Sequence, residues 1–290
     1  MNKTLKDLLF LLLYFCFFLR SIFSSETSEI KYQVEVSLDI TKEASKKILK
    51  HYKFKPKERV DYVFDIYDGE DFLLFPQTEK IRFRLKEEED KRLIQINSNI
   101  GSIKRVCENG ISIEIKEKQN GEVSPTEKEY LELKEGNKRL EEALNNPKEK
   151  IPNLLKFHET VHNLNSPLQR ELEESLGLKK WIYLPINRTL KTKWKKKIET
   201  KEGEIIISIT KGKDYLAEKY FQDKWELEFQ INPAHWKEKN CETKYCSLEK
   251  QVCDFLKTER ISNRDLNPPK NSPYESLKKM IQPLNKELGF

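Results

Sequence analysis

The sequence predicts an α+β protein: an antiparallel β-barrel forming a tunnel with a polar, charged lumen, packed by helices and followed by a small C-terminal helical cap. Three observations predict it. Segments between residues 30 and 231 alternate apolar and polar with a period of two, as strands with one buried and one polar face do. Stretches of helical period interrupt those strands. The polar faces also carry charge at adjacent same-side positions, beyond what a water-facing sheet side requires.

In residues 32–40 the apolar face is Tyr32, Val34, Val36, Leu38 and Ile40, and the other face carries Gln33, Glu35, Ser37 and Asp39. Residues 41–52 are helical, with Ala44, Ile48 and Tyr52 on one stripe and Thr41 as N-cap. In 81–86, Ile81, Phe83 and Leu85 oppose Arg82, Arg84 and Lys86. In 111–118, Ile111, Ile113 and Ile115 oppose Ser112, Glu114, Lys116 and Lys118. In 224–231, Trp225, Leu227, Phe229 and Ile231 oppose Lys224, Glu226, Glu228 and Gln230. Residues 93–99 and 204–210 are weaker versions of the same pattern. Helical stretches are expected at 125–144, 152–162 and 167–176, the last closed by Gly177. The tail reads as a cap over 232–290, with a cysteine-bearing helix at about 247–257 and a last helix near 274–281.

The amino terminus has the layout of a secretory signal peptide over residues 1–24. Lys3 and Lys6 precede an apolar run from Leu8 to Leu19, then Arg20 and a Ser-rich stretch. The run is well short of the roughly 20 apolar residues of a spanning helix, so no stable membrane span is expected after cleavage. Export, periplasmic or secreted, is therefore expected, with a retained N-terminal anchor as the other outcome. The formal charge is +6, of which Lys3, Lys6 and Arg20 against Asp7 contribute +2; the +4 left is too mild for a general nucleic-acid binder, and no nucleic-acid partner is expected. Beyond Cys16, four cysteines remain: Cys107, Cys241, Cys246 and Cys253. They permit disulfides in three pairings, and no CxxC spacing suggests a zinc ribbon.

Helices packed on the apolar side of a sheet cover one face only. If the sheet closes with that face outward, Arg82, Arg84, Lys86, Lys116, Lys118, Glu226 and Glu228 face a lumen, where charge must be met by pairing or by ligand. Clustered cations beside clustered glutamates suit an anionic, metal-bridged ligand such as a polyphosphate. Otherwise these charges are salt-bridging residues on a water-facing sheet.

The order of motifs resembles the CYTH, or triphosphate tunnel metalloenzyme, superfamily over about residues 30–231. The segment from Gln33 to Ser37 stands where that family has Glu-x-Glu-x-Lys, and Asp61–Asp71 resembles its Tyr-x-Asp strand and turn. The segment 81–86 is similar to the Leu-Arg-x-Arg strand, 113–116 to the Leu-x-x-Lys strand, and Trp225–Phe229 to the closing Glu-x-Glu strand. The segment from Asn187 to Lys193 resembles the basic strand of the second half, although Arg188 has the opposite parity to Lys191 and Lys193. Of the first motif only Glu35 is kept, with Gln33 and Ser37 in place of the family's other charges.

The resemblance implies that Arg82, Arg84, Lys86, Lys116, Lys118, Arg188, Lys191 and Lys193 bind phosphate. It implies that Glu35, Glu226 and Glu228 carry catalysis by holding Mg²⁺ or Mn²⁺. The expected activity is a triphosphatase acting on a phosphorylated small molecule or polyphosphate, with a non-catalytic tunnel-fold binder as the alternative. A third reading comes from His158-Glu159-Thr160-Val161-His162, the zinc-protease pattern His-Glu-x-x-His, in which His158 and His162 would ligate zinc and Glu159 would act as base.

Overall fold

The computed structural model describes residues 31–52, 55–69, 81–88, 91–199, 203–231, 241–268, 271 and 273–290. The expected signal peptide, and Glu70 and Asp71 of the second motif, lie outside them. Eight strands run antiparallel: β1 (Lys31–Asp39), β2 (Lys55–Tyr67), β3 (Ile81–Glu88), β4 (Lys91–Val106), β5 (Ser112–Val123), β6 (Ile182–Glu199), β7 (Glu204–Leu216) and β8 (Lys219–Ile231). They close into one barrel in the order β1-β5-β4-β3-β2-β6-β7-β8, with β8 returning to β1. The expected tunnel fold is the fold observed.

Strand parity decides what faces out. Val34, Val36 and Leu38 of β1 join Ile113 and Ile115 of β5, Ile205, Ile207 and Ile209 of β7, and Leu227, Phe229 and Ile231 of β8 in one outer apolar layer. Two helices cover that layer: α1 (Lys42–His51), through Ala44 and Ile48, and α6 (Cys241–Thr258), through Leu248, Val252 and Leu256. Thr41 caps α1 by accepting from the Ala44 amide at 3.2 Å, as the sequence suggests. On the other side Tyr62, Phe64, Phe83, Leu85, Ile94 and Ile96 form a second outer layer. It lies under α2 (Glu127–Lys134), α4 (Pro147–His162) and α5 (Pro167–Leu176).

The helix expected over 125–144 is two, α2 and α3 (Gly136–Asn145). The break falls at Glu135, next to Gly136, where a Cβ would lie 2.5 Å from the Phe157 ring of α4. Gly177 ends α5 in the left-handed conformation, at φ 58°.

A third apolar cluster forms at the barrel end where β2 finishes. Val63 and Tyr67 pack there with Leu277 and Ile281 of α7 (Pro273–Ile281), with Leu284, and with Leu140 and Leu154 of α3 and α4. The short final helix α8 (Asn285–Leu288) follows, and the Phe290 ring meets Tyr67 at 5.4 Å. Cys107, just past β4, is disulfide-bonded to Cys253 of α6 across 146 residues, and Cys246 is an exposed free thiol.

Candidate functional site

The polar parities of all eight strands point into the barrel, around a cavity of about 580 Å³. Eleven Lys and Arg and five Asp and Glu line it, an excess of six positive charges. Arg82, Arg84 and Lys86 come from β3, Lys116 and Lys118 from β5, Lys191 and Lys193 from β6, Glu35 from β1, and Glu226 and Glu228 from β8. The structure thus gathers ten of the expected site residues into one lumen.

Arg188 is the exception. Its side chain lies outside, where Nε and Nη2 donate to the two carboxylate oxygens of Glu218 at 3.1 and 2.8 Å and the guanidinium covers the Tyr215 ring. The β6 register does shift against β2, at Ile186 between the pairs Val63–Asn187 and Phe64–Pro185. That bulge is not between Arg188 and Lys191, so their opposite parity stands.

The histidine motif makes no metal site. His158 Nδ1 accepts the Tyr183 backbone N–H at 3.1 Å, so the neutral ring carries its proton on Nε2 and presents no free lone pair. His162 faces Glu173 at 3.5 Å, and both rings pack against Trp181. The motif is a structural seam between α4 and the start of β6.

Sequence reasoning passed over the centre of the cation cluster. Asp61 on β2 is fully buried, with Arg59 Nε at 2.7 Å, Lys191 Nζ at 2.7 Å and Arg84 Nε at 3.7 Å. Burial alone would raise its pKa, but Lys191, Arg84 and Arg59 outweigh burial and hold the carboxyl well below the usual range. One carboxylate so shared cannot satisfy three cations. Burial pulls the Lys191 ammonium down to about 7 against the attraction of Asp61, with Arg84 adding like charge. Lys86 falls to about 7 through burial and the neighbouring Arg84 and Arg59. The surplus positive charge is what a polyanion would neutralise. Extending the period of two places Arg59 and Asp61 on one face of β2, since they alternate with Val60 and Tyr62, but it does not show their meeting with Arg84 and Lys191. Lys195 of β6 and Lys224 of β8 also line the cavity, in the parities of Lys193 and Glu226.

The acidic side of the lumen is partnered as well. Lys118 donates to Glu35, and the Gln33 amide reaches the same carboxylate at 2.6 Å. The Ser37 hydroxyl donates to Glu226, and Lys193 donates to Glu228 at 3.0 Å. Burial and then the Glu228 charge push the Glu35 carboxyl up. Burial also pushes on Glu226, but Lys191, the Ser37 hydroxyl and Lys224 overcome it and hold Glu226 well below the carboxylate range. Among the described residues no three metal-ligating side chains stand close enough together to hold an ion as placed. The donors are nevertheless of the kind a hard divalent cation takes: Glu35 of β1 and Glu226 and Glu228 of the neighbouring β8 offer carboxylate oxygens to one cavity.

No protein-family model matches the chain, and no curated protein matches it. Similar solved structures include a protein of Hippeastrum studied as an adenylyl cyclase, which reveals a dominant triphosphatase activity. It is 13% identical, with 85% of this chain and 95% of that one covered at a TM-score of 0.43. An RNA triphosphatase of S. pombe is 11% identical over 86% of this chain and 90% of that one, at 0.37. A chain of the Schizosaccharomyces pombe Mediator head module is 9% identical over 78% and 94%, at 0.39. At these values they are likenesses of shape, and the function is argued from the lumen's own residues.

Proposed function

We propose that the lumen binds a linear polyphosphate-type anion, such as tripolyphosphate or a terminal triphosphate, and hydrolyses it with Mg²⁺ or Mn²⁺ held by Glu35, Glu226 and Glu228. The observation that carries this reading is the convergence of eleven cations and five acids on one cavity inside a closed barrel. Asp61 and Asp214, buried beside Lys191 and Lys224, offset part of that cationic excess, and chained phosphates would supply the remaining counter-charge at close spacing. Arg84 offers planar guanidinium donors beside Asp61, while Lys86, Lys116, Lys118, Lys191 and Lys193 offer point charges on flexible stems. Together they orient the anion and neutralise charge that builds on its oxygens, the main protein contribution in phosphoryl transfer.

When bound, the metal would supply Lewis-acid polarisation of a phosphoryl oxygen and order the attacking water. Same-face neighbours on a strand lie roughly 7 Å apart, so Glu226 and Glu228 could both turn toward one ion, with Glu35 diagonal to Glu228 on the neighbouring strand, opposite Gln230. The Cys107–Cys253 disulfide supports a working place in an oxidising compartment, in keeping with export.

The test is phosphate release from tripolyphosphate with Mg²⁺ or Mn²⁺. Release that is lost in Glu226→Gln while the anion still binds is the expected result. Tight binding that Arg84→Ala abolishes, with no phosphate released under any divalent cation, would leave a binding protein without turnover.

A further inference from the structure

The ion pairs on the acidic side of the lumen have a consequence for how metal and anion bind. Glu35 and Glu228 are two of the three carboxylates given to the metal above, and each already holds an ammonium: Lys118 on Glu35, and Lys193 on Glu228 at 3.0 Å. The pairs are well shielded, with side chains 24% and 7% exposed in the first and 12% and 14% in the second. Lys118 belongs to β5, where it is cross-strand to Gln33, and Lys193 belongs to β6, cross-strand to Thr210. Both ammoniums line the same cavity as Arg82, Arg84 and Lys86. Each is therefore placed between two claims, the carboxylate it now holds and any phosphate that enters.

We infer that Lys118 and Lys193 are exchangeable counter-ions. They neutralise the carboxylate cluster when no divalent cation is bound, and they pass to phosphate oxygens when a cation takes Glu35 and Glu228. This rests on the metal-assisted reading of the site. Lysine suits the task because its point charge rides on a flexible four-carbon stem, whereas a guanidinium fork is tied to one geometry.

The energetic logic makes metal and anion partners. A cation entering alone must expel two shielded ammoniums and leave them without a counter-charge, which is expensive in a low-dielectric cavity. An anion entering alone must share those ammoniums with Glu35 and Glu228. When both enter, every charge has a partner, so each ligand raises the affinity of the other by the same factor. Typical couplings of this kind are about 5- to 150-fold.

The experiment measures Mn²⁺ binding to the full chain by electron paramagnetic resonance, with and without the non-hydrolysable imidotriphosphate. Wild type is expected to bind Mn²⁺ weakly alone and at least about 5-fold more tightly with imidotriphosphate. Lys118→Met and Lys193→Met keep the stem and remove the competing charge. Each is expected to bind Mn²⁺ alone more tightly than wild type and to lose part of the coupling, while Lys118→Arg, which keeps the charge, gains no Mn²⁺ affinity. A lysine that merely supported the fold would, when replaced, weaken Mn²⁺ binding or leave it alone. A wild-type coupling below about twofold, or no gain of Mn²⁺ affinity in either folded methionine variant, overturns the inference. It leaves metal-assisted hydrolysis standing wherever wild type still binds Mn²⁺ and releases phosphate. Absence of Mn²⁺ binding in every protein, with imidotriphosphate bound, overturns both.

Discussion

Replacing Asp61 by Asn removes one buried negative charge and almost no volume, so it isolates the electrostatic role of the carboxylate. In the native protein that fully buried group faces Arg59, Lys191 and Arg84 within 2.7–3.7 Å. Removing one member of a buried ion pair costs about 3–5 kcal/mol, because the partners are left uncompensated. For a chain of this size each kcal/mol moves Tm by about 2–4 °C, so Asp61→Asn is expected to melt about 6–20 °C below wild type. The released cations should then favour the anion. Tripolyphosphate at about 100 times its Kd stabilises any binding protein by about 2.7 kcal/mol, and in Asp61→Asn the rise in Tm should exceed that of wild type at equal ligand concentration. Differential scanning calorimetry with and without tripolyphosphate reads both effects. A variant melting within about 2 °C of wild type would refute the idea that Asp61 compensates the cluster, and an equal ligand-induced shift would refute the idea that the cluster receives the anion.

Arg84→Ala is expected to weaken tripolyphosphate binding by about 10- to 100-fold, the loss of a hydrogen bond to a charged group, while Arg188→Ala changes it less than about twofold because Arg188 lies outside with Glu218; titration calorimetry distinguishes them. The Lys86 value of about 7 lies below a lysine's ordinary 10.5, so above pH 7 the unfolded chain binds more protons and stability rises with pH. That rise, measured by urea unfolding at pH 7 and 9, should be smaller in Lys86→Met, and an unchanged slope would contradict the depressed value. Cys253→Ser opens a link spanning 146 residues and is expected to cost about 2–5 kcal/mol in unfolding free energy; a reduction-insensitive melt would show that the link adds nothing.

Much of this architecture was legible because the period of two is a local property. The apolar sides of β1, β3, β5 and β8 could be read from their alternation: Val34, Val36, Leu38, Phe83, Leu85, Ile113, Ile115, Leu227, Phe229 and Ile231 lie in the outer layers, whereas Tyr32 is exposed. The same parity brought Arg82, Arg84, Lys86, Lys116, Lys118, Glu226 and Glu228 into one lumen although they come from three strands. Arg188 was included by motif likeness against its own parity, and parity prevailed. Asp61 was hidden for a different reason. Its significance lies in three cations from β2, β3 and β6, the last 130 positions along the chain at Lys191, and no local pattern announces such a meeting. The break at Glu135 was equally invisible, as was the close approach of the Phe157 ring to Gly136. The histidine motif was misleading because its spacing recorded only that both rings share one helix face, while the Tyr183 amide had already taken His158 Nδ1.

In the proposed function one lumen takes a polyphosphate against its cations and a divalent metal against its glutamates. Diffraction from crystals grown with imidotriphosphate and Mn²⁺, recorded at the manganese absorption edge, tests it most directly. The expected result is an anomalous peak among Glu35, Glu226 and Glu228, with the phosphates against Arg84 and Lys86 and with Lys118 and Lys193 turned to phosphate oxygens. Phosphates and manganese bound only on the outer surface, with the lumen still closed by its own ion pairs, would contradict it.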